Sequence, residues 1–396
     1  MPGACRPRMH GVGVGALLCL VFAGVVLIES EGASAGVTVA CGDTIVSDTT
    51  LAADLTDCPD NGIIIGADHL ILDLNGHTID GDGELFEPCS DDADFCDVGV
   101  ANNGHRGLRV VDGSVTGFAV GVFIYAAHRN RMVGVSSSLN DFFGFFVVDS
   151  AGTVIRDSSG SDNLAPDGDG LGLFGSHGSR VVGNTFEGNT LGIHVSESNR
   201  NLFRGNVISR TDGPGMLVEA NQNEIRSKVC RRNGICILVG RGDGNVIARN
   251  RVRADDDGIA VENGSRNRLI GNRIVRTRGS GIYLGLVAPP IGGHSNVVRE
   301  NVVIDSRGDA FKVRRKDAHS ILRGNIARRA RDDGFSIQST TSKLVDDRAI
   351  ANGELGIRAR GRCHRRRRER RPPERRPPTV REHLVRVSRA RSALRR

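Results

Sequence analysis

The stretch Val181-Val182-Gly183-Asn184-Thr185-Phe186-Glu187-Gly188-Asn189-Thr190-Leu191-Gly192-Ile193-His194-Val195 decides the fold. Two apolar residues, a short polar link and an Asn lead to a Gly, after which apolar residues alternate. The same order recurs along the chain. With the Asn as anchor, it falls at Asn184, Asn206, Lys228, Asn250 and Asn272, each 22 residues apart. It continues at Asn301, Asn325 and Asp347 with spacings of 29, 24 and 22, and runs back to Asp157, Val135 and Gly113 with spacings of 27, 22 and 22. Insertions at Leu286–Gly293 and Asn163–Gly168 account for the long gaps.

A second column tests the period. Three residues before each anchor stand Val110, Met132, Val154, Val181, Phe203, Ile225, Ile247, Leu269, Val298, Leu322 and Leu344. All are apolar in a chain that is only 39% hydrophobic, so the column is read as inward side chains stacked one per turn. A third column follows the Gly: Gly258-Ile259-Ala260-Val261 and Gly281-Ile282-Tyr283-Leu284 alternate with the period of a strand that buries one face. No stretch of this region sustains helical spacing. The composition agrees, with 52 Gly, two Tyr and no Trp in 396 residues. The expected fold is all-β, a parallel β-helix solenoid of about 12–13 coils with a 22-residue repeat. Buried bends leave backbone groups that an Asn amide can satisfy, so the Asn column is read as structural.

Before the repeats, Arg6 and Arg8 precede an apolar run from Ala16 to Ile28, and Ala33-Ser34-Ala35 supplies small residues at a cleavage position. Residues 1–35 therefore read as a signal peptide, and the run is too short to span a bilayer comfortably. Export permits disulfides. Residues 36–105 are expected to form an N-terminal cap and first coils, with local pairs Cys41/Cys58 and Cys89/Cys96. Residues 106–360 carry the coils. Residues 361–396 hold 15 Arg and 3 acidic residues; without them 38 basic and 43 acidic residues remain, a net charge of −5. The folded body is thus mildly acidic, and the overall +7 gives no ground for a nucleic-acid partner.

Residues Leu70-Ile71-Leu72-Asp73-Leu74-Asn75-Gly76-His77-Thr78-Ile79-Asp80-Gly81 and the Asn-anchored coils after them resemble right-handed parallel β-helix repeat proteins of the pectate-lyase-like superfamily. The coil pattern is similar to that of periplasmic NosD-like proteins of copper-enzyme maturation and of alginate epimerase-like proteins. The resemblance spans about residues 37–360. It implies a right-handed coil and a polysaccharide held on the outer face of one sheet. The superfamily contains lyases, hydrolases, epimerases and binding proteins, so it implies no single activity.

The outward residues two and four after the Gly would form that face. Phe123, Phe146, Phe174, His194, Glu219 and Glu262 are the candidate ligand-binding residues, since sugar rings stack on aromatic side chains and their polar groups need partners. Cys236 falls in the same series. Tyr283, Lys312 and Arg314 are the candidate catalytic residues. In lyases and epimerases of this superfamily, the resemblance implies, a Lys or Arg takes the proton beside a uronate carboxylate while a second cation or calcium neutralises it. Tyr283 would then donate a proton. Asp167 and Asp169, with His177 nearby in sequence, lie in an inserted loop with hard oxygen ligands that would suit calcium. Asp255-Asp256-Asp257 and Asp332-Asp333 precede a Gly and read as turn residues. No Cys or His spacing suits zinc, and no Cys or Met set suits copper.

Two function classes follow: a secreted, periplasmic or cell-surface solenoid that binds carbohydrate or another extracellular partner, and a polysaccharide lyase or epimerase acting on a uronate-containing glycan. A monomer is expected, with no required cofactor, no nucleic-acid partner and no membrane span after cleavage. The Arg/Pro run 361–396 lacks apolar periodicity and reads as a disordered tail from a shifted reading frame. Deleting it is expected to leave the melting temperature unchanged by scanning calorimetry; a marked fall would make the tail a genuine cap.

Overall fold

The computed structural model describes residues 38–84, 97–163, 168–253, 255–285 and 292–360. The architecture is the expected parallel β-helix. Each coil contributes short strands to stacked sheets, and every pairing between described strands is parallel. The first sheet has 14 strands, from Asp43–Ile45 to Ile357–Ala359. The second has 15, ending at Lys343–Val345, and the third has eight, from Thr185–Glu187 to Arg348–Ile350. Strand neighbours lie one coil apart in sequence, as in Ile247↔Leu269 and Ile259↔Ile282. Residues Val181, Phe203, Ile225, Ile247 and Leu269 line one inner wall and are essentially buried.

The Asn column is a hydrogen-bonded ladder. The Asn184 amide N–H donates to Asn206 Oδ1 at 2.9 Å, Asn250 to Asn272 at 3.0 Å and Asn325 to Asp347 at 2.8 Å. Each Nδ2 also donates back to a backbone carbonyl, as Asn250 does to Ile225 O at 3.1 Å. The ladder thus gives these bend N–H groups an acceptor, where an unpaired buried donor would cost about 1–3 kcal/mol. Two further ladders stand at other corners. One contains Asn201, Asn223, Asn245 and Asn267; the other contains Asn140, Asn163 and Asn189.

Three details depart from the sequence reading. The ladder continues back through Ser158, which receives nothing from Asp157; Ser158 N donates to Asn184 Oδ1, and Asp157 takes the left-handed bend beside it, with φ 52°. The inward column accordingly passes through Ile155 and not Val154, because Met132 and Val181 both pair with Ile155. Cys236 does not face outward. It is buried and forms a disulfide with Cys230, while Leu238 takes the outward place between Leu217 and Ala260. The Gly that marks the strand start lies two residues further back in this coil than in its neighbours. Cys41 and Cys58 form the expected disulfide, with Cα atoms 5.4 Å apart. Cys89 and Cys96 lie outside the described residues, as do segments 1–35 and 361–396.

Lys228 interrupts the main ladder. It is 1% exposed, its Nζ has no hydrogen-bond partner, and it offers no acceptor to the Asn206 N–H. Burial pushes its pKa well down, with Asp255 opposing. Asp255, at the end of the Asn189 side of the interior, accepts from Asn233 N and Nδ2; burial raises it to about 6 against those hydrogen bonds. Both groups are driven toward neutrality. In the unfolded chain an Asp titrates at about 3.9, so between that value and 6 the folded state holds the extra proton. The stability this neutral carboxyl contributes is full below about pH 4 and is lost as pH rises through 6. Changing Lys228→Asn together with Asp255→Asn completes both ladders. Chemical denaturation at pH 7 is expected to show a gain of about 1–3 kcal/mol, with less difference between pH 4.5 and 7 than in the parent.

Candidate functional site

The outer face of the first sheet is built by register. Phe123, Phe146, Gly172, His194 and Leu217 stand in one outward column. Leu238, Ala260, Tyr283, Lys312, Ser336 and Arg358 continue it. A parallel column carries Tyr125, Val148, Phe174, Ser196 and Glu219. From His194 to Tyr283 is four rungs, roughly 19 Å at about 4.8 Å per strand.

At the N-terminal end the face is aromatic. Phe143 and Phe146 stack with centroids 4.1 Å apart, Phe146 meets Phe174 edge-on at 5.3 Å, and Phe174 meets His194 edge-on at 4.8 Å. Gly172 makes room for this: a Cβ there would lie 2.6 Å from the Phe143 ring and 2.9 Å from that of Phe146. Phe146 and Phe174 remain half-buried, so their edges are open to a ligand. Phe123 does not. It is 2% exposed, in a small cluster with Val98 and Val120 under Phe143, Phe146 and Val148. It supports the aromatic patch from below, so its placement does not suit the ligand contact expected of it.

His194 joins this patch to a polar group. Its Nδ1 lies 3.4 Å from Asp169 Oδ2, and its Nε2 lies 3.9 Å from Glu219 Oε2. Asp169 is buried at the start of strand Asp169–Phe174, so a carboxylate stands behind the imidazole. This is a different setting from the expected calcium loop. Asp167 lies outside the described residues, and His177 sits at an exposed corner, where its Nδ1 accepts from Asn199 N at 3.0 Å. Among the described residues no group of three or more His, Cys, Asp or Glu could hold a metal ion.

The C-terminal end is charged. Lys312 Nζ pairs with Asp309 Oδ2 at 3.0 Å, and Arg358 pairs with Asp333 at 2.7 Å; both carboxylates are nearly buried. The Arg314 guanidinium lies 5.2 Å from the Tyr283 ring centroid, a cation–π contact. Tyr283 is 7% exposed, and burial raises its pKa against the opposing Arg314 charge. Burial also raises Glu262, again opposed by Arg314. Asp257 is raised by burial, with the Ser280 N–H and Lys312 opposing. Tyr283 is thus in register with Lys312 and in contact with Arg314. The Lys312 ammonium is held by a carboxylate, an arrangement that suits a fixed positive charge better than a base.

Sequence reasoning missed the carboxylates behind these cations. Asp257 opens its first-sheet strand, Asp309 and Asp333 stand just before theirs, and each accepts a backbone N–H from the next coil: Ser280 for Asp257, Asp333 for Asp309 at 3.2 Å and Leu355 for Asp333 at 3.1 Å. The recurrent Asp before the strand was a signal for this, but it read equally well as a turn.

The fold and face define a right-handed parallel β-helix protein whose outer first-sheet face is aromatic at one end and charged at the other. The family described as "Periplasmic copper-binding protein (NosD)" matches residues 161–286, about a third of the chain. No curated protein matches it. Among solved structures it is similar to the A-module of the mannuronan C-5 epimerase AlgE6 of Azotobacter vinelandii. The TM-score is 0.58 at 14% identity, over 79% of this chain and 91% of that one. It is also similar to PfbA, a surface adhesin of Streptococcus pneumoniae, with a TM-score of 0.53 at 10% identity, over 78% and 83%. A third similar structure is the catalytic domain of a GH87 α-1,3-glucanase in complex with nigerose. There the TM-score is 0.51 at 14% identity, over 80% of this chain and 64% of that one. At these identities the likeness is one of fold.

Copper does not fit the residues of the matched stretch. Cys230 and Cys236 are joined, Met216 is buried in the core, and His177 and His194 stand on different coil faces with the partners given above. Among the described residues no helix is long and apolar enough to cross a membrane. Gly172→Ala tests the aromatic patch directly. The added methyl is expected to push Phe143 and Phe146 apart and cost about 1–3 kcal/mol, read as a lower melting temperature. An unchanged melting temperature would mean that the rings do not lie over Gly172.

Proposed function

We propose that this chain is an exported β-helix protein that binds a polysaccharide along the outer face of its first sheet. The observation that carries this reading is the outer face on which the Phe143/Phe146/Phe174 patch, His194, Tyr283, Lys312 and Arg314 follow one another along the coils. Sugar rings present apolar faces that stack on half-buried aromatics, and their hydroxyls meet His194, Glu219 and Glu262. Lys312 and Arg314 orient a carboxylate at the far end. The cations of that end are largely matched by Asp309, Asp333 and Glu262, so a neutral or sparsely charged glycan suits this groove better than a dense polyanion. Disulfides and the leader at residues 1–35 support a periplasmic, secreted or cell-surface location. No metal is needed for binding of this kind; a calcium site at Asp167 and Asp169 would add to it.

A second reading is favoured by one feature. The buried Asp169 carboxylate behind His194 is the arrangement that orients an imidazole for proton transfer, so lyase or epimerase chemistry on a uronate glycan would centre there and not on Lys312.

A glycan array with the full chain tests both. Phe146→Ala with Phe174→Ala is expected to weaken any retained glycan about tenfold or more, since each ring contact contributes about 0.5–1.5 kcal/mol. Lys312→Ala with Arg314→Ala is expected to abolish preference for a carboxylated sugar. If both double variants bind as the parent does, the groove is not the site. Product formation that is lost in His194→Gln while binding persists would establish the second reading.

A further inference from the structure

The corner where the third sheet returns the chain to the first carries arginine in three adjacent columns. The last position of the third-sheet strands holds Arg231 and Arg253, which are direct register partners, and, after Val275 and Ile304, Arg328. The next position, in the left-handed bend, holds Arg232, Arg276 and Arg329, with φ of 58°, 62° and 52°. Two residues further, Arg278, Arg307 and Arg331 stack on successive coils, for Arg307 N donates to Thr277 O at 2.9 Å and Arg331 N to Ser306 O at 2.8 Å. All nine side chains are exposed.

Few of these charges are matched. Arg278 pairs with Asp256, and Arg329 pairs with Asp305 at 2.6 Å. The other seven have no carboxylate within ion-pair distance among the described residues. Like charges about 4.8 Å apart repel where arginines stand on successive coils, at Arg231/Arg253 and Arg278/Arg307/Arg331, while Asp305 separates Arg276 from Arg329 in the bend column; there a left-handed φ adds strain that Gly188 avoids two coils before Arg232. The body of the chain is otherwise mildly acidic, so the stripe is a local feature. Between its rungs lies a groove of about 640 Å³ lined by Arg232, Arg276, Thr277, Arg278, Asp305 and Arg307.

We propose that this corner binds a linear anionic polysaccharide bearing a carboxylate or sulfate on each sugar, laid along the coil axis. Successive guanidinium forks would then meet successive anions in bidentate contacts, relieving the repulsion between rungs. The three columns contain no aromatic residue on which nucleobases could stack, which disfavours single-stranded nucleic acid. They contain no exposed large apolar side chain to enter a lipid layer. The site is separate from the first-sheet groove and takes a ligand of opposite charge density.

The test uses the full chain in a background that neutralises part of the basic tail, Arg365→Ser, Arg366→Ser, Arg367→Ser and Arg368→Ser. Fluorescein-labelled polygalacturonate and heparin are titrated by anisotropy over a series of salt concentrations. Adding Arg232→Ser, Arg276→Ser and Arg307→Ser, three exposed and unpaired residues, is expected to weaken both at least about tenfold and to flatten the salt dependence. Neutral dextran is expected not to compete. Circular dichroism melting should match the parent, because no buried contact is removed. Phe146→Ala with Phe174→Ala should leave this titration unchanged, so failure here is distinguishable from failure of the groove reading. Equal affinity of the triple variant and its parent would overturn the proposal. So would equally tight binding of a single-stranded oligonucleotide or of phosphatidylserine vesicles in the same background.

Discussion

Each coil of this molecule turns corners inside its own core, and each turn aims a backbone N–H at the coil above. That donor must be met by an acceptor, and only the next coil can supply it. The Asn ladders are the answer, and they fix much else. A side chain that must reach a neighbour 22 residues away at 2.9 Å leaves no freedom of register between coils. Register in turn decides which residues stack on the outside. The groove and the arginine corner are both consequences of a constraint that operates in the interior.

The fold was legible because this requirement repeats. A polar residue in an otherwise apolar environment, returned at constant spacing, has no other simple reading. The same repetition explains the errors. At residues 154–158 the anchor is Ser158, a residue type that occurs everywhere, so the eye settles on the adjacent Asp157. At Gly234 the glycine marker drifts by two places, and Cys236 appears outward when it is inside. Periodicity locates a column to within a residue or two: a shift of one reverses sidedness, as at Val154 and Ile155, and a shift of two sets Cys236 level with Gly258, before the outward position.

The candidate groove was legible in outline and opaque in detail for a similar reason. Alternation identifies which side chains point out. It says nothing of what covers them, and Phe123 is covered by its neighbours. Nor does it show lateral neighbours on one rung. Asp169 and His194 are 25 residues apart in sequence; Asp169 opens its strand in register with Leu191, one coil away from His194 and three positions before its column. The arginine corner escaped notice because its residues are scattered among many other arginines. Only stacking reveals that nine of them share one edge.

The ladder step from Asn272 to Asn301 spans 29 residues, yet its hydrogen bond is 2.9 Å, the same length as in the 22-residue step from Asn184 to Asn206. The ladder contact is thus unaffected by the seven extra residues of this step. Lengthening such an excursion carries an entropic cost that grows only with the logarithm of its length. The scaffold can therefore acquire new surface by insertion at a corner without renegotiating its core, and a lineage of such chains could change what it grips while the interior stays the same. Conservation among relatives would then be concentrated on the rungs, and diversity on the excursions between them.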